Sequence, residues 1–233
     1  MSYNERLFFP SKTHAIMNIE QARFNMVEQQ IRPCEVLDQH VLDLLMVAKR
    51  EDFAPPGYRN LAFSDTEIPL GFGAVMLSPK VEARALQALQ LKGHEKVLEV
   101  GAGSGYMATL LANRADHVWT AEIVPQLADM ARANLRRAGV TNVSVETGDG
   151  LSGFPAHAPF DVIVVSGAIL DIPPELLAQL KPRGRLFAIV GVEPVMEAQL
   201  ITRVADTAFR TVNLFETQTM LLSTTRRRDT FIF

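Results

Sequence analysis

The sequence predicts an α/β protein with a doubly wound, mostly parallel sheet, a helical N-terminal region and antiparallel C-terminal strands. From about residue 81 onward, short apolar segments of strand length alternate with segments of helical periodicity, which is typical of a parallel sheet covered on both faces. In residues 1–80, apolar residues recur at helical spacing between loops, and no strand-like segments alternate with the helices. After residue 191, strand-like segments follow one another without helices, which favours antiparallel strands at the end of the sheet.

The N-terminal region contains two predicted helices followed by a loop. Apolar residues recur at helical spacing over residues 19–31 and 34–47, and Pro33 separates the two helices because proline disfavours helical continuation. Residues 53–79 are rich in proline and glycine, so we expect a shaped loop there rather than regular structure. We expect the region 1–80 to pack on the domain formed by residues 81–233, as one structural unit.

The alternating part of the chain supplies the elements of the predicted sheet. Helices are predicted over residues 81–91, 105–114, 125–138 and 174–180. Parallel strands are predicted over residues 96–100, 118–123, 143–147, 161–166 and 185–190, and later strands over 199–204, 211–215, 220–223 and 230–233.

The composition is that of an ordinary globular protein and excludes several classes of function. A formal net charge of −3 gives no basis for broad binding to nucleic acid or to an anionic membrane. A single cysteine, Cys34, excludes an internal disulfide or a multi-cysteine metal site, and the scattered histidines predict no metal site. No stretch has the roughly 18 apolar residues of a spanning helix, and residues 1–10 do not resemble a signal peptide. We therefore expect a cytoplasmic protein, in which Arg226–Arg228 form a solvated turn.

The most informative segment is a strand that runs into a glycine loop, VLEVGAGSGY at residues 97–106. Glycine at alternate positions lets the chain turn tightly off the strand and lets a ligand approach the backbone closely. The following helix directs its free amide groups at a ligand on the loop. We expect the loop to bind a nucleotide-like cofactor through Gly101, Ala102, Gly103, Ser104 and Gly105.

The acid before the loop favours one cofactor over another. The spacing is G-x-G-x-G, whereas the dinucleotide fingerprint is G-x-G-x-x-G. Glu99 lies two residues before the first glycine, where a carboxylate is a poor neighbour for a pyrophosphate but a good one for a cation. S-adenosyl-L-methionine carries an ammonium and a sulfonium and no phosphate, so it suits the loop better than NAD does. An NAD-dependent oxidoreductase is the rival enzyme class, which a titration with both ligands separates.

Two further strand ends supply expected cofactor contacts. Glu122 ends the strand after the loop, where an acid accepts hydrogen bonds from ribose hydroxyls in doubly wound folds, and Ile123 follows it. Asp149, flanked by Gly150, ends the next strand, where its carboxylate can accept a bond from the adenine amino group. In a parallel sheet these ends meet along one edge, so the amino-acid, ribose and adenine contacts are predicted in order along it.

Several segments resemble one family in its motif order. They are MVEQQI at 26–31, VLDLLMVAKREDF at 41–53, AFSDTEIPLGFG at 62–73, the glycine loop, Gly148–Gly150, APFDVIVVSGA at 158–168 and IPPELLAQLKPRGRLFAIVG at 172–191. Over roughly residues 20–192 the chain resembles the protein-L-isoaspartate O-methyltransferase family. The resemblance implies a Rossmann-like methyltransferase fold and S-adenosyl-L-methionine as cofactor, with S-adenosyl-L-homocysteine as product. It also implies methylation of the carboxylate of isoaspartyl residues in damaged peptides or proteins, whose esters collapse to succinimides.

One segment departs from the family pattern on the acceptor side. Where the family has Gln-Thr-Ile-Ser-Gln-Pro, this chain has Ala74–Pro79, so that Val75 and Leu77 replace hydroxyl residues and Ser78 replaces glutamine. Ser166 replaces the family's usual threonine and keeps a hydroxyl. These four residues are the acceptor-side candidates, with no certain catalytic residue.

Two hypotheses about the acceptor remain open. The chain is either an isoaspartyl methyltransferase with a rearranged pocket, or a cofactor-binding protein of the same fold with another acceptor or no transfer activity. A dimer is possible, and the sequence does not decide the oligomeric state.

Overall fold

A seven-stranded sheet forms the centre of the computed structural model, which describes residues 18–223. Its strands are β3 (Lys96–Val100), β4 (His117–Glu122), β5 (Val143–Thr147), β6 (Phe160–Ile169), β7 (Leu180–Val192), β8 (Val195–Arg203) and β9 (Phe209–Thr217). Their spatial order is β5-β4-β3-β6-β7-β8-β9. The first five strands in that order run parallel, and β8 and β9 are added antiparallel. The predicted fold class is confirmed.

Alternate residues of the inner strands face two separate apolar clusters. On β6, Val162 and Val164 face the larger cluster, while Ile163 and Val165 face the smaller one, and all four are buried. A strand buried on both faces needs a continuous apolar run, and this explains why β6 lacks polar–apolar alternation in its middle. The larger cluster also contains residues of the N-terminal region and of three helices: α3 (Pro79–Leu89), α4 (Tyr106–Ala112) and α5 (Pro125–Arg137). The short helix α6 (Pro174–Ala178) lies on the other face.

The helical N-terminal region is confirmed, with different limits. The first helix, α1 (Ile19–Asn25), continues as one π-helical stretch to Ile31. The second, α2 (Gln39–Val47), begins five residues later than predicted. Residue Glu35 adopts a left-handed conformation (φ 65°), which no helix can contain, and Asp38 then caps α2 by accepting the amide of His40.

The prediction of an irregular loop over residues 53–79 is wrong in part. The segment contains a 3₁₀ turn and a β-hairpin, formed by β1 (Ile68–Gly71) and β2 (Ala74–Met76). Two of the three glycines in this segment, Gly71 and Gly73, lie at the hairpin turn and have positive φ. A two-stranded hairpin is marginal by itself, and this one is held because Ile68 and Met76 are buried in the larger cluster.

The end of the described chain runs beside the end of β6 and does not form a regular strand. Residues 220–223 were predicted as a strand, but only Leu221 forms a bridge, to Ala168 at the end of β6. We call residues 218–223 the strap. The predicted strand at 230–233, the arginines at 226–228 and residues 1–17 lie outside the described residues. Within residues 18–223, no helix is both long and apolar enough to cross a membrane.

Candidate functional site

A cleft opens at the carboxyl ends of β3, β4, β5 and β6. The chain passes from β3 outward through β4 and β5 and then returns to the other side of β3 as β6. This reversal leaves a crevice between neighbouring strand ends, where open α/β sheets bind ligands. The cleft encloses about 720 Å³ when its part open to solvent is included.

Most of the predicted cofactor residues border this cleft. Those that line it are Gly101, Gly103, Glu122, Ile123, Asp149 and Gly150. A smaller inner pocket of about 260 Å³ shares Val75, Gly101, Gly103 and Ser166 with the cleft and is also lined by Glu82, Glu99, Ala102 and Ser104. The two cavities therefore adjoin at the glycine loop.

The loop is held by the strand beside it. Its first two amides, of Gly101 and Ala102, donate to the carbonyl of Ala121 on β4 at 2.8 and 3.1 Å. Gly105 borders neither cavity. It has φ 83°, and a Cβ atom there would come within 3.3 Å of the backbone of Ala131 in α5. Gly105 thus permits close packing of the loop on α5, which is an indirect contribution to the site.

Glu122 connects the loop to the following helix. Its Oε2 accepts the amide of Gly103 at 2.9 Å, and its Oε1 accepts the amide of Val124 at 3.0 Å. The side chain is only 6% exposed, yet it borders the cleft. Each carboxylate oxygen can accept more than one hydrogen bond, so the carboxylate keeps capacity for ligand hydroxyls.

Asp149 and Gly150 form the corresponding end of β5. Asp149 is exposed and caps a 3₁₀ turn by accepting the amide of Leu151 at 3.0 Å. Gly150 is packed against the sheet, where an added Cβ would lie 2.7 Å from the Cβ of Ala121 and 2.8 Å from Val100. Any larger residue at position 150 would therefore displace the floor of the cleft.

Glu99 is fully buried beneath the loop. Its carboxylate accepts the hydroxyl of Thr120 at 2.5 Å and the hydroxyl of Ser166 at 2.8 Å. Burial raises the pKa of Glu99 to about 8, and the two hydroxyl hydrogen bonds only partly oppose that rise. A buried carboxylate with hydroxyl donors suits a positively charged ligand group, because such a group compensates the charge that burial disfavours.

The acceptor-side candidates occupy different places. Val75 borders both cavities, and Leu77 borders the inner pocket. Ser166 also borders both, but it donates its hydroxyl hydrogen to Glu99. Ser78 borders neither cavity and stands at the N-terminal cap position of α3. The structure therefore brings three of the four together.

A buried ion pair, which the sequence patterns did not predict, lies behind residues 74–78, the acceptor segment. Arg50, 1% exposed, donates to the carboxylate of Glu82 and, at 2.5 Å, to the carbonyl of Leu77. Its guanidinium also lies 5.0 Å from the ring centroid of Tyr106, the first residue of α4. Burial raises the pKa of Glu82 to about 7 although Arg50 opposes the rise. A charged residue at an inward position of amphipathic α3 was the available signal.

The strap and the tip of the hairpin also form walls of the cleft, which the sequence patterns did not predict. Residues 219–223 and Phe72 line it. Leu222 fits against two glycines, since a Cβ on Gly167 would lie 2.5 Å from its Cδ2 and one on Gly101 would lie 3.4 Å away. Long-range closure of this kind has no local sequence signal. Among residues 18–223, no group of three or more acids, histidines and cysteines is placed to hold a metal ion.

Comparison with known proteins gives a consistent result. The family model described as protein-L-isoaspartate(D-aspartate) O-methyltransferase (PCMT) matches residues 21–227. A protein-L-isoaspartate O-methyltransferase of Methanoculleus marisnigri is 43% identical over 169 residues, covering 72% of this chain and 77% of the relative. One of Myxococcus xanthus is 45% identical over 156 residues, covering 67% of this chain and 74% of the relative.

Solved structures support the fold. A structure described as a protein-L-isoaspartate O-methyltransferase aligns with a TM-score of 0.73 and 23% identity, covering 87% of this chain and 65% of the other, so this chain spans slightly less than two thirds of it. A Plasmodium falciparum chain, solved in complex with S-adenosyl-L-homocysteine, aligns with a TM-score of 0.74 and 18% identity over 88% of this chain and 98% of the other.

Proposed function

We propose that this chain, which belongs to the protein-L-isoaspartate O-methyltransferase family, transfers the methyl group of S-adenosyl-L-methionine to the carboxylate of isoaspartyl residues in peptides or proteins. The observation that carries the proposal is the cleft. It brings the glycine loop, Glu122 and Asp149 to one edge, beside Val75 and Ser166 of the acceptor side.

The residues at this edge fit the cofactor. We assign the amino-acid end to Glu99 and the loop Gly101–Gly105, with Ala102 and Ser104 beside the inner pocket. The buried Glu99 carboxylate supports this assignment because a ligand cation would stabilise its ionised form. We assign the ribose to Glu122 with Ile123 beside it, and the adenine to Asp149 and Gly150. When bound, the cofactor supplies an activated methyl group on its sulfonium.

The chain's own task in this reaction is positioning. A carboxylate acceptor is already ionised at neutral pH, with a reference pKa near 4, so no general base is needed to activate it. The requirement is an in-line approach of the acceptor oxygen, which depends on rigid walls around the acceptor. Here the wall is the acceptor segment, which Arg50 holds through the carbonyl of Leu77.

A second candidate is a family member that binds the cofactor but transfers the methyl group to another acceptor or not at all. Two observations favour it. Val75 and Leu77 are apolar at the acceptor wall, and the hydroxyl hydrogen of Ser166 is directed to Glu99. Hydrogen-bond donors to a carboxylate are therefore scarce there, and a buried carboxylate without donors is costly.

Methyl transfer to an isoaspartyl peptide, measured against the same peptide with ordinary aspartate, tests the proposal. Turnover of the isoaspartyl peptide alone supports it. Tight binding of S-adenosyl-L-homocysteine without turnover supports the second candidate. In that case the double substitution Val75→Thr with Leu77→Ser should raise turnover, whereas Ser78→Thr, outside both cavities, serves as the matched control.

The location and partners of the chain are proposals as well. We propose a cytoplasmic protein that acts on peptide or protein substrates and binds neither nucleic acid nor membranes, because its formal net charge is −3 and it has a single cysteine. Sedimentation of the purified chain would measure its oligomeric state.

A further inference from the structure

The tip of the β1–β2 hairpin holds a phenylalanine in an unusual conformation. Phe72 has φ 54°, between Gly71 at 89° and Gly73 at 75°. The left-handed region is rarely adopted by bulky residues, because the Cβ atom approaches the backbone too closely. The Phe72 side chain is also 63% exposed. Phe72 and Gly73 are the two central residues of the hairpin turn, and a two-residue turn of this kind requires positive φ at both, usually with asparagine or glycine there. This chain instead has an exposed aromatic ring at the first of these positions.

A second large apolar side chain is exposed at the same cleft. Met220 of the strap is 48% exposed, and both Phe72 and Met220 line the cleft. Single exposed apolar residues are normal on protein surfaces. These two differ because they come from separate segments, more than 140 residues apart by their numbers, that the fold brings to one cavity. Ile123 is also exposed at the cleft, but it adjoins Glu122, at the edge of the sheet that we assign to the cofactor and call the cofactor edge.

The chain position of Phe72 connects it with the acceptor rather than with the cofactor. It precedes Val75 by three residues on the hairpin, whereas the assigned cofactor residues follow the strand ends of the sheet. An acceptor residue within a peptide brings its neighbours with it, and an extended peptide advances about 3.3–3.6 Å per residue. The neighbours must therefore pass the rim of the cleft near the acceptor segment.

The exposed apolar side chains at the rim favour one kind of neighbour. A glycine would leave the ring of Phe72 and the side chain of Met220 uncovered. A bulky apolar neighbour covers them and removes apolar surface from water on both partners.

We propose that Phe72 and Met220 form an apolar clamp on the residue that flanks the isoaspartate, so that the chain selects isoaspartyl sites with bulky apolar neighbours. The inference rests on the proposed function and adds to it a sequence preference around the methylated residue.

Two isoaspartyl peptides that differ only in the flanking residues, leucine in one and glycine in the other, test the clamp. We expect wild-type kcat/KM to be about tenfold higher for the leucine peptide, as for a side chain of that size in a partly open site. The substitution Phe72→Gly should reduce that preference to below about threefold by raising KM for the leucine peptide alone. Glycine relieves the positive φ, so this variant keeps its fold.

Controls separate the clamp from other roles of Phe72. Phe24→Ala removes an aromatic ring that is 46% exposed on α1, away from the cleft, and should leave the preference unchanged. Equal losses on both peptides in Phe72→Gly, or a weaker affinity for S-adenosyl-L-homocysteine, would overturn the clamp. Turnover without preference in the wild type overturns the clamp alone. Absence of turnover with either peptide overturns the proposed function and the clamp together.

Discussion

The two walls of the cleft are built in different ways. On the cofactor edge, polar side chains meet backbone amides directly, as Glu122 does with Gly103 and Val124. On the acceptor wall, Val75 and Leu77 present apolar side chains, and the polar contact lies behind them, from Arg50 to the carbonyl of Leu77. The wall at Glu122 therefore presents hydrogen-bonding groups to the cleft, while the wall at Val75 and Leu77 presents apolar side chains.

This difference shows that the two walls of one cleft depend on the fold in different ways. The cofactor edge is assembled from residues that directly follow consecutive strands, so its geometry is a property of the sheet. The acceptor wall depends on one guanidinium that must remain buried and paired. We therefore expect substitutions behind the acceptor wall to change the free energy of unfolding, and substitutions at Glu122 or Glu99 to change the affinity for the cofactor.

Removing Arg50 should cost the most. Arg50→Met leaves the Glu82 carboxylate buried without its partner, and we expect a loss of about 3–5 kcal/mol in the free energy of unfolding. Denaturant unfolding at pH 8 measures it. Adding Glu82→Val should recover much of the loss, because an apolar pair replaces the ion pair. Arg32→Met breaks a partly exposed pair with Glu28 and should cost less than about 1 kcal/mol. A loss as small for Arg50→Met would contradict the role of the buried pair.

Removing the acid of the cofactor edge should act on affinity. In Glu122→Ala, the dissociation constant for S-adenosyl-L-homocysteine should rise about 10- to 100-fold, as expected for lost hydrogen bonds to a charged group. Calorimetric titration measures the constant. Glu146→Ala removes an acid on β5 that faces His157, and it is the matched control with unchanged affinity. If both variants bind equally well, Glu122 does not contact the cofactor.

The pKa of Glu99 predicts a pH dependence of cofactor binding. With the pKa raised to about 8, the carboxyl is mostly neutral at pH 6 and mostly ionised at pH 9. A positively charged ligand group binds the ionised form better, so affinity should rise by up to about tenfold per pH unit up to pH 8. Binding should also release a proton, which is measured by calorimetry in buffers of different ionisation enthalpy. Glu99→Gln should show weaker binding without this dependence, and an equal slope in that variant would exclude Glu99 as its source.

The sign for folding is the reverse. The pKa of the Glu99 carboxyl is about 8 in the folded chain, above its usual 4.5. Its contribution to stability is therefore fully present below pH 4.5 and is lost as the pH rises through about 8. The free chain should therefore be less stable at pH 9 than at pH 6 on account of Glu99. Thermal unfolding of the wild type and Glu99→Gln at both pH values should show a smaller decline in the variant.

The smallest effect is expected at Ser78. Its side chain makes no capping hydrogen bond to α3 and borders neither cavity. Ser78→Ala should change the free energy of unfolding by less than about 0.5 kcal/mol and leave methyl transfer unchanged. A marked loss of turnover in this variant would place Ser78 at the acceptor.

Local patterns were sufficient to predict the sheet and to predict that the glycine loop, Glu122 and Asp149 lie at one edge of it. The strands that alternate with helices along the chain were predicted to within a few residues of their observed ends. Their burial on both faces demands continuous apolar runs, which are visible in the sequence. The hairpin was not recovered, because its glycines resemble those of an irregular loop, while Ile68 and Met76 stabilise it through contacts with distant parts of the core.

The sequence by itself determined which residues meet along one side of the cleft: the glycine loop, Glu122 and Asp149 lie at the ends of successive strands, and parallel strands must end at one edge. Only the tertiary structure decided the other side. The pairing of Arg50 with Glu82, the position of Phe72 at the rim and the closure of the strap over Gly167 join residues 32 or more positions apart. Such contacts depend on how whole elements pack, and nothing in the local chain specifies which distant partner arrives.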